Sequence, residues 1–348
     1  MMLALRGAVW TGHGDEMLDD HVVIVTDNGD IAAIAPYSAD LVADIEQVVG
    51  SASCWIGPGV YDRHVHLAHL RGDQLLAGGV VAVRDLGKPE GRADSDDAAG
   101  PALRVHSVGQ VLTTPGLHGE PDRLVGNLPA AIDSAEQAIA HTAAQHEAGA
   151  HAIKVGLHGT RSRRSTSPAV LAATVDAAHE RSLPVIARAQ TIAMVVRALE
   201  AGVDELANTP AEALPASLVS ELHAAGVSVC STLQMLFATG LGHDAARNAS
   251  ALVAAGVPLH YGTDLGNVAA RPGVDPRELD RLAGAGLGRI GALRAASFGP
   301  LEVGSAARLV VLQDNPINEP AAWWAPLVTV SGSERSPGIG WLGKASSL

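Results

Sequence analysis

Four times in the middle of the chain, an alanine-rich stretch ends in Ala-Gly and passes at once into a short apolar run: at Gly149, Gly202, Gly226 and Gly256. Glycine at such a point takes the left-handed conformation that closes a helix and that other residues resist. Each unit therefore reads as helix, cap, strand. Strand-like runs fall at 60–66, 80–85, 103–108, 152–155, 184–187, 205–207, 228–230 and 259–263. Helical stretches such as 134–148, 168–181 and 193–201 separate them. Alternating strands and helices favour a parallel α/β fold. Eight strands favour closure into a (β/α)8 TIM barrel, where chemistry sits at the C-terminal strand ends.

The two ends of the chain have a different rhythm. Residues 22–26 and 31–35 read as a hairpin around Asp27-Asn28-Gly29-Asp30, a cluster of turn residues. Residues 301–330 are similar, with a strand at 308–313 closed by Asn315-Pro316. The expected organisation is a catalytic barrel over 58–297, with 1–57 and 298–348 sharing a small β-sandwich domain.

Composition limits the function classes. Hydrophobic residues make up 47% and charged residues 18%, so a large core is available, and with aromatics at 3% it must rest on Ala, Val, Leu and Ile. The 24 basic residues stand against 37 acidic ones, a net charge of -13. That balance argues against sequence-independent nucleic-acid binding, which needs many phosphate-neutralising cations, and against docking on anionic membrane. The N-terminal run lacks the long apolar segment of a signal peptide, and no stretch has the roughly 18 apolar residues of a membrane span. Cys54 and Cys230 cannot make a disulfide framework. Two buried free thiols and a cytoplasmic setting are expected, with a single bridge as the alternative.

The most informative segment is Pro58-Gly59-Val60-Tyr61-Asp62-Arg63-His64-Val65-His66. Histidines two apart on a strand share a face, and two neutral imidazoles there can hold a divalent metal. A His-x-His also arises by chance; the leading Pro-Gly and Asp62 favour the metal reading.

Pro-Gly-x-x-Asp-x-His-x-His resembles the first barrel strand of the amidohydrolase superfamily, in its prolidase-like and imidazolonepropionase-like branch. The resemblance runs through most of the chain. Residues 79–87 look like the second-strand segment, and Thr113-Thr114-Pro115-Gly116-Leu117-His118-Gly119 like the loop after strand three. Ala152-Ile153-Lys154-Val155 looks like strand four, whose lysine is often carbamylated and bridges two metals. Tyr261-Gly262-Thr263-Asp264 looks like strand eight, whose aspartate binds metal and handles the proton of the attacking water. Residues 292–296 and 309–312 resemble the final helix and the returning strand of the flanking domain.

Two departures matter most. Strands five and six of the family end in histidine; here Arg188 and Asn208 stand at those positions. A guanidinium has no lone pair to offer a metal, and an Asn carbonyl is a weak zinc ligand. The resemblance then implies at most one divalent metal, zinc being the expected ion, held by His64, His66 and Asp264, with Lys154 as a carbamate ligand; the other state is no metal. The flanking segment also departs: 298–302 is short, and Arg308 stands where the closing strand often has Asp.

Three readings stay open. One is an amidohydrolase acting on an amide or other C–N bond, cyclic or acidic, with Asp264, Lys154 and Arg188 catalytic. The second is a metal-free acid–base enzyme performing elimination, isomerisation or cyclisation. The third is a non-catalytic binding protein. His118, His158, Asn208 and Tyr261 are candidate substrate contacts. The bland readings beside them are surface loops for the two histidines and core packing for Tyr261. Arg161, Arg163 and Arg164 read as a solvated loop, with an anion-binding patch as the sharper alternative. His141, His146, His151, His179 and His223 read as surface or packing histidines, and Trp323 and Trp324 as interface residues. The expected partner is a small-molecule substrate. A homo-oligomer is implied, because the family often assembles.

Overall fold

The computed structural model describes residues 2–87, 102–114, 130–157, 166–267 and 270–338. Both ends of the chain build one seven-stranded sheet. Its strands are β1 (Leu3–Val9), β2 (Leu18–Val25), β3 (Ile31–Pro36), β4 (Gln47–Pro58), β15 (Arg308–Leu312), β16 (Val328–Ser331) and β17 (Glu334–Pro337). The order is β17-β16-β15-β4-β1-β2-β3. The anticipated hairpin is present as antiparallel β2 and β3, with Gly29 at φ +86° in its turn. Leu3, Leu5, Val23, Ile56, Leu309 and Val311 make the core of this sheet.

All eight strand-like segments between them contain strands. β5 (Val60–Val65), β6 (Val80–Asp85) and β7 (Arg104–Ser107) form a parallel three-stranded sheet. β8 (Leu112–Thr113), β9 (Ala130–Ala131), β10 (Ile153–Gly156), β11 (Val185–Arg188), β12 (Glu205–Leu206), β13 (Ser228–Cys230) and β14 (Leu259–His260) form a parallel seven-stranded one. Closure of the hydrogen-bonded ladder into one ring, expected from the sequence, is not observed among the described residues. At one seam, between β5 and strand eight, a single bridge forms, Val65 to Leu265. At the other, strand three changes partner, β7 pairing with β6 and β8 with β10.

The helices start and stop as the residues dictate. Ser134, Ser167 and Thr191 side chains each accept from a backbone N–H of the first turn, satisfying donors that the helix leaves unpaired. Gly149, Gly202, Gly226 and Gly256 follow helices with φ of +81°, +80°, +71° and +82°. Between the helices and the parallel strands lies one continuous apolar core, reaching from Val60 to Trp323. Trp323 is buried there, edge-on to Trp55 at 5.9 Å, so it joins the end-built sheet to the helical layer. Trp324 stays partly exposed, with the Arg271 and Arg277 guanidinium groups above its ring. Cys54 and Cys230 are free and buried. No described helix is long and apolar enough to cross a membrane.

Candidate metal centre

β5 and the segment after β14 lie side by side, and their pairing sets the site. Asp62 accepts from His64 N and Thr263 N, both at 3.1 Å, and from Thr263 Oγ1 at 2.5 Å. Asp264 N then donates to His64 O at 2.8 Å, and His66 N to Leu265 O at 2.7 Å. One buried carboxylate thus fixes both halves of the site to each other. Burial pushes the Asp62 carboxyl up to about 7, against the pull of the Thr263 and His64 donors. Gly262 is required for the close approach: a Cβ there would stand 2.2 Å from Cys230 Sγ and 3.0 Å from His64 Cβ. Asp264 itself has φ +58°, a left-handed conformation that costs a non-glycine residue about 1–3 kcal/mol and is typically kept at functional sites.

His64 Nε2 and His66 Nε2 each lie 3.2 Å from Asp264 Oδ1, all three side chains being buried. His64 Nδ1 stands 2.7 Å from Ala207 O. A carbonyl only accepts, so Nδ1 carries the proton and Nε2 keeps its lone pair. This is the outer-shell arrangement that orients a metal-binding imidazole. His66 Nε2 is buried with no hydrogen-bond partner despite its nearness to the carboxylate. Burial lowers the His66 imidazole to about 4; Asp264 opposes that shift and Lys154 adds to it, so it is neutral at pH 7. Burial would raise the Asp264 carboxyl, but the two imidazoles hold it well below the usual range.

The donors therefore fit a divalent cation. Two imidazole lone pairs and an ionised carboxylate converge within 4.8 Å of one another, an N,N,O set of the kind that binds zinc in catalytic sites. Among the described residues this is the one group of three or more His, Cys, Asp or Glu side chains so placed.

The other anticipated residues fall in different places. Lys154 is buried beside the site, its Nζ donating to Leu86 O at 2.9 Å. Arg188 ends β11, opposite Gly156, and is partly exposed. Asn208 is buried and its Nδ2 donates to Thr232 Oγ1 at 2.8 Å. Tyr261 has no exposed surface, belongs to the apolar core and accepts Asp275 N on its hydroxyl at 2.8 Å. These are the surroundings of a packed side chain, the core-filling alternative weighed for Tyr261. His118, His158, Arg161, Arg163 and Arg164 lie outside the described residues.

Several contributors had no signal in the sequence. Asn267 Nδ2 donates to Asp264 Oδ1 at 3.0 Å, and the Ala207 carbonyl sets the His64 tautomer. Arg84 and Glu205 form a buried bidentate ion pair, and Arg84 Nε also donates to Arg63 O at 2.9 Å, just before His64. Burial alone would push the Arg84 guanidinium down and the Glu205 carboxyl up; the facing charges reverse both. Neighbouring the site is a recess of about 110 Å³, lined in part by Thr263, Leu265, Arg271 and Arg277.

No family model and no curated protein matches the sequence. Solved structures do match the fold. A Xaa-Pro dipeptidase with methionine bound in its active site superposes with TM-score 0.82 at 17% identity, covering 97% of this chain and 100% of that one. An amidohydrolase gives 0.79 at 17% identity, covering 97% and 99%. The ochratoxinase of A. niger gives 0.77 at 18% identity, covering 97% and 96%. The chain has the fold of these amidohydrolase-type structures from end to end.

Proposed function

We propose that the protein is a hydrolase of an amide or other C–N bond that works with one divalent metal, zinc being the best match to the donor set. The observation that carries this reading is the convergence of the His64 and His66 Nε2 lone pairs on the Asp264 carboxylate. The fold likeness to hydrolases such as the dipeptidase supports it. We read the two parallel sheets as staves of one (β/α)8 barrel, flanked by a small domain from 1–57 and 298–348.

His64, His66 and Asp264 would hold the ion, which supplies Lewis acidity towards a scissile carbonyl and makes water a stronger acid. The side chains do the rest. Asp264, kept ionised, accepts the proton of the attacking water and returns it to the leaving nitrogen. Asn267 holds the Asp264 carboxylate through Oδ1. Lys154 favours the neutral, ligating form of His66. Arg188 stands where the resemblance to the amidohydrolase superfamily would place a second-metal histidine, and a fixed cation there suits a substrate carboxylate, which it can grip in bidentate fashion.

The test is amine release from a panel of N-acyl amino acids and cyclic amides, before and after chelation. Loss of activity on chelation and its return with zinc are expected. Undiminished turnover in metal-stripped protein would overturn the proposal in favour of metal-free acid–base chemistry. A second prediction follows from the replaced histidines. Arg188→His combined with Asn208→His is expected to raise bound metal by about one equivalent and to lower activity on acidic substrates by at least about tenfold, the worth of one charge-assisted contact. Elemental analysis and parallel turnover assays check it.

A further inference from the structure

A second polar cluster is built around the buried Arg84–Glu205 pair. Arg84 and Glu205 form its floor, and Ser228 Oγ donates to Glu205 at 3.4 Å. Around them stand Tyr61 and Arg63 of β5, Arg104 and His106 of β7, His151 ahead of β10, and His260 of β14. The Arg63 guanidinium lies over the Tyr61 ring at 4.6 Å. Tyr61 Oη is 2.7 Å from His106 Nδ1, and Arg104 Nε donates to His106 Nε2 at 3.5 Å. The His106 and His151 rings are 5.0 Å apart. Arg308 closes the cluster over Phe298, which packs edge-on against Tyr61.

The charges do not balance. The groups that act most strongly on His106 after burial are bases: His151, Arg104, Arg63 and Arg84. Glu205 is the acid that meets Arg84 in a bidentate pair, one carboxylate among Arg63, Arg84 and Arg104. Arg63 Nε is buried with no hydrogen-bond partner, and an unmet buried donor on a cation is costly. Burial, then the neighbouring bases, lower His106 to about 4, while burial and Arg63 lower His260 to the same level. Both imidazoles therefore stay neutral at pH 7. The cluster is open to solvent on one side, since Arg104 and His151 are exposed and Arg63, His106 and His260 partly so. A concentration of cations in a chain of net charge -13 marks a place built for the opposite charge.

We propose that this cluster is a binding site for a small oxyanion of the phosphate or sulfate class, held by Arg63 of β5 and Arg104 of β7. The anion meets the orphaned Arg63 donor, offsets the excess positive charge, and ties β5 to β7. The site uses none of the His64, His66 and Asp264 side chains, so its failure would leave the hydrolase reading untouched.

Inorganic phosphate is the probe, added to the full-length protein in a non-phosphate buffer. A saturable rise in Tm of about 2–5 °C is expected, with a matching binding isotherm by calorimetry. Arg104→Ala removes an exposed side chain without disturbing the core and is expected to weaken phosphate binding at least about tenfold. Arg63→Met is expected to abolish it, and Arg188→Ala, outside the cluster, to leave it intact. Absence of saturable binding in the wild type overturns the proposal. So does binding that Arg188→Ala removes, or that Arg104→Ala leaves unchanged.

Discussion

Asp264→Asn is expected to cost the protein its metal and its activity together. The carboxylate is the one group that both His64 and His66 face, at 3.2 Å each. Asparagine keeps the size and the Asn267 contact but offers a neutral carbonyl, a weak ligand for zinc. Loss of an outer-shell partner already costs about 10–100-fold in metal affinity, and loss of a ligand is expected to exceed that. Turnover should fall further than affinity, because the same oxygen pair carries the proton. Saturating zinc would then restore occupancy without restoring the rate. Competition with a coloured chelator gives the affinity, and assays at high zinc separate binding from catalysis. Full activity at saturating zinc would show that Asp264 is a ligand and not the proton carrier.

Arg84→Met is expected to have the largest effect on stability. It leaves Glu205 buried and unpaired, a situation that costs about 3–5 kcal/mol when one partner of a buried pair is removed. Denaturant unfolding at pH 7 measures it. The double variant Arg84→Met with Glu205→Leu is expected to recover most of the loss, because an apolar pair of similar volume avoids both desolvation costs. The pH dependence has a definite sign. The pair lowers the Glu205 carboxyl, so its contribution is present above the ordinary glutamate range and is lost as pH falls through the folded value. In Arg84→Met the lone buried carboxyl protonates readily, so the deficit should shrink between pH 7 and pH 4. A single variant as stable as the wild type would show that the buried pair does not hold the fold together.

The eight parallel strands were legible because each is a short β-branched run bounded by a capped helix, and both signals are local. The shared sheet of the two ends was legible only as a guess, since β4 joins β1 to β15 across more than half the chain. The break in the ladder was not legible. It lies where β5 meets strand eight through a single bridge and where the partner changes between β7 and β8, and neither leaves a mark in residue type. In the metal centre, the His-x-His and the aspartate were readable as a motif. The group that fixes the His64 tautomer is a backbone carbonyl, Ala207 O, which any residue would supply. For Tyr261 the sequence left pocket wall and core both open, because strand alternation says which residues share a face, but not which face points inwards. The Arg84–Glu205 pair spans 121 positions, so only the fold brings it together.

The account stands or falls on metal stoichiometry. Elemental analysis of protein purified without chelator, alongside His64→Ala and Arg188→Ala, tests it directly. About one zinc per chain is predicted for the wild type and for Arg188→Ala, and none for His64→Ala. Two metals per chain would mean that Arg188 and Asn208 do not mark a lost second site, and a wild type that takes up no metal even from added zinc would contradict the single-metal centre itself.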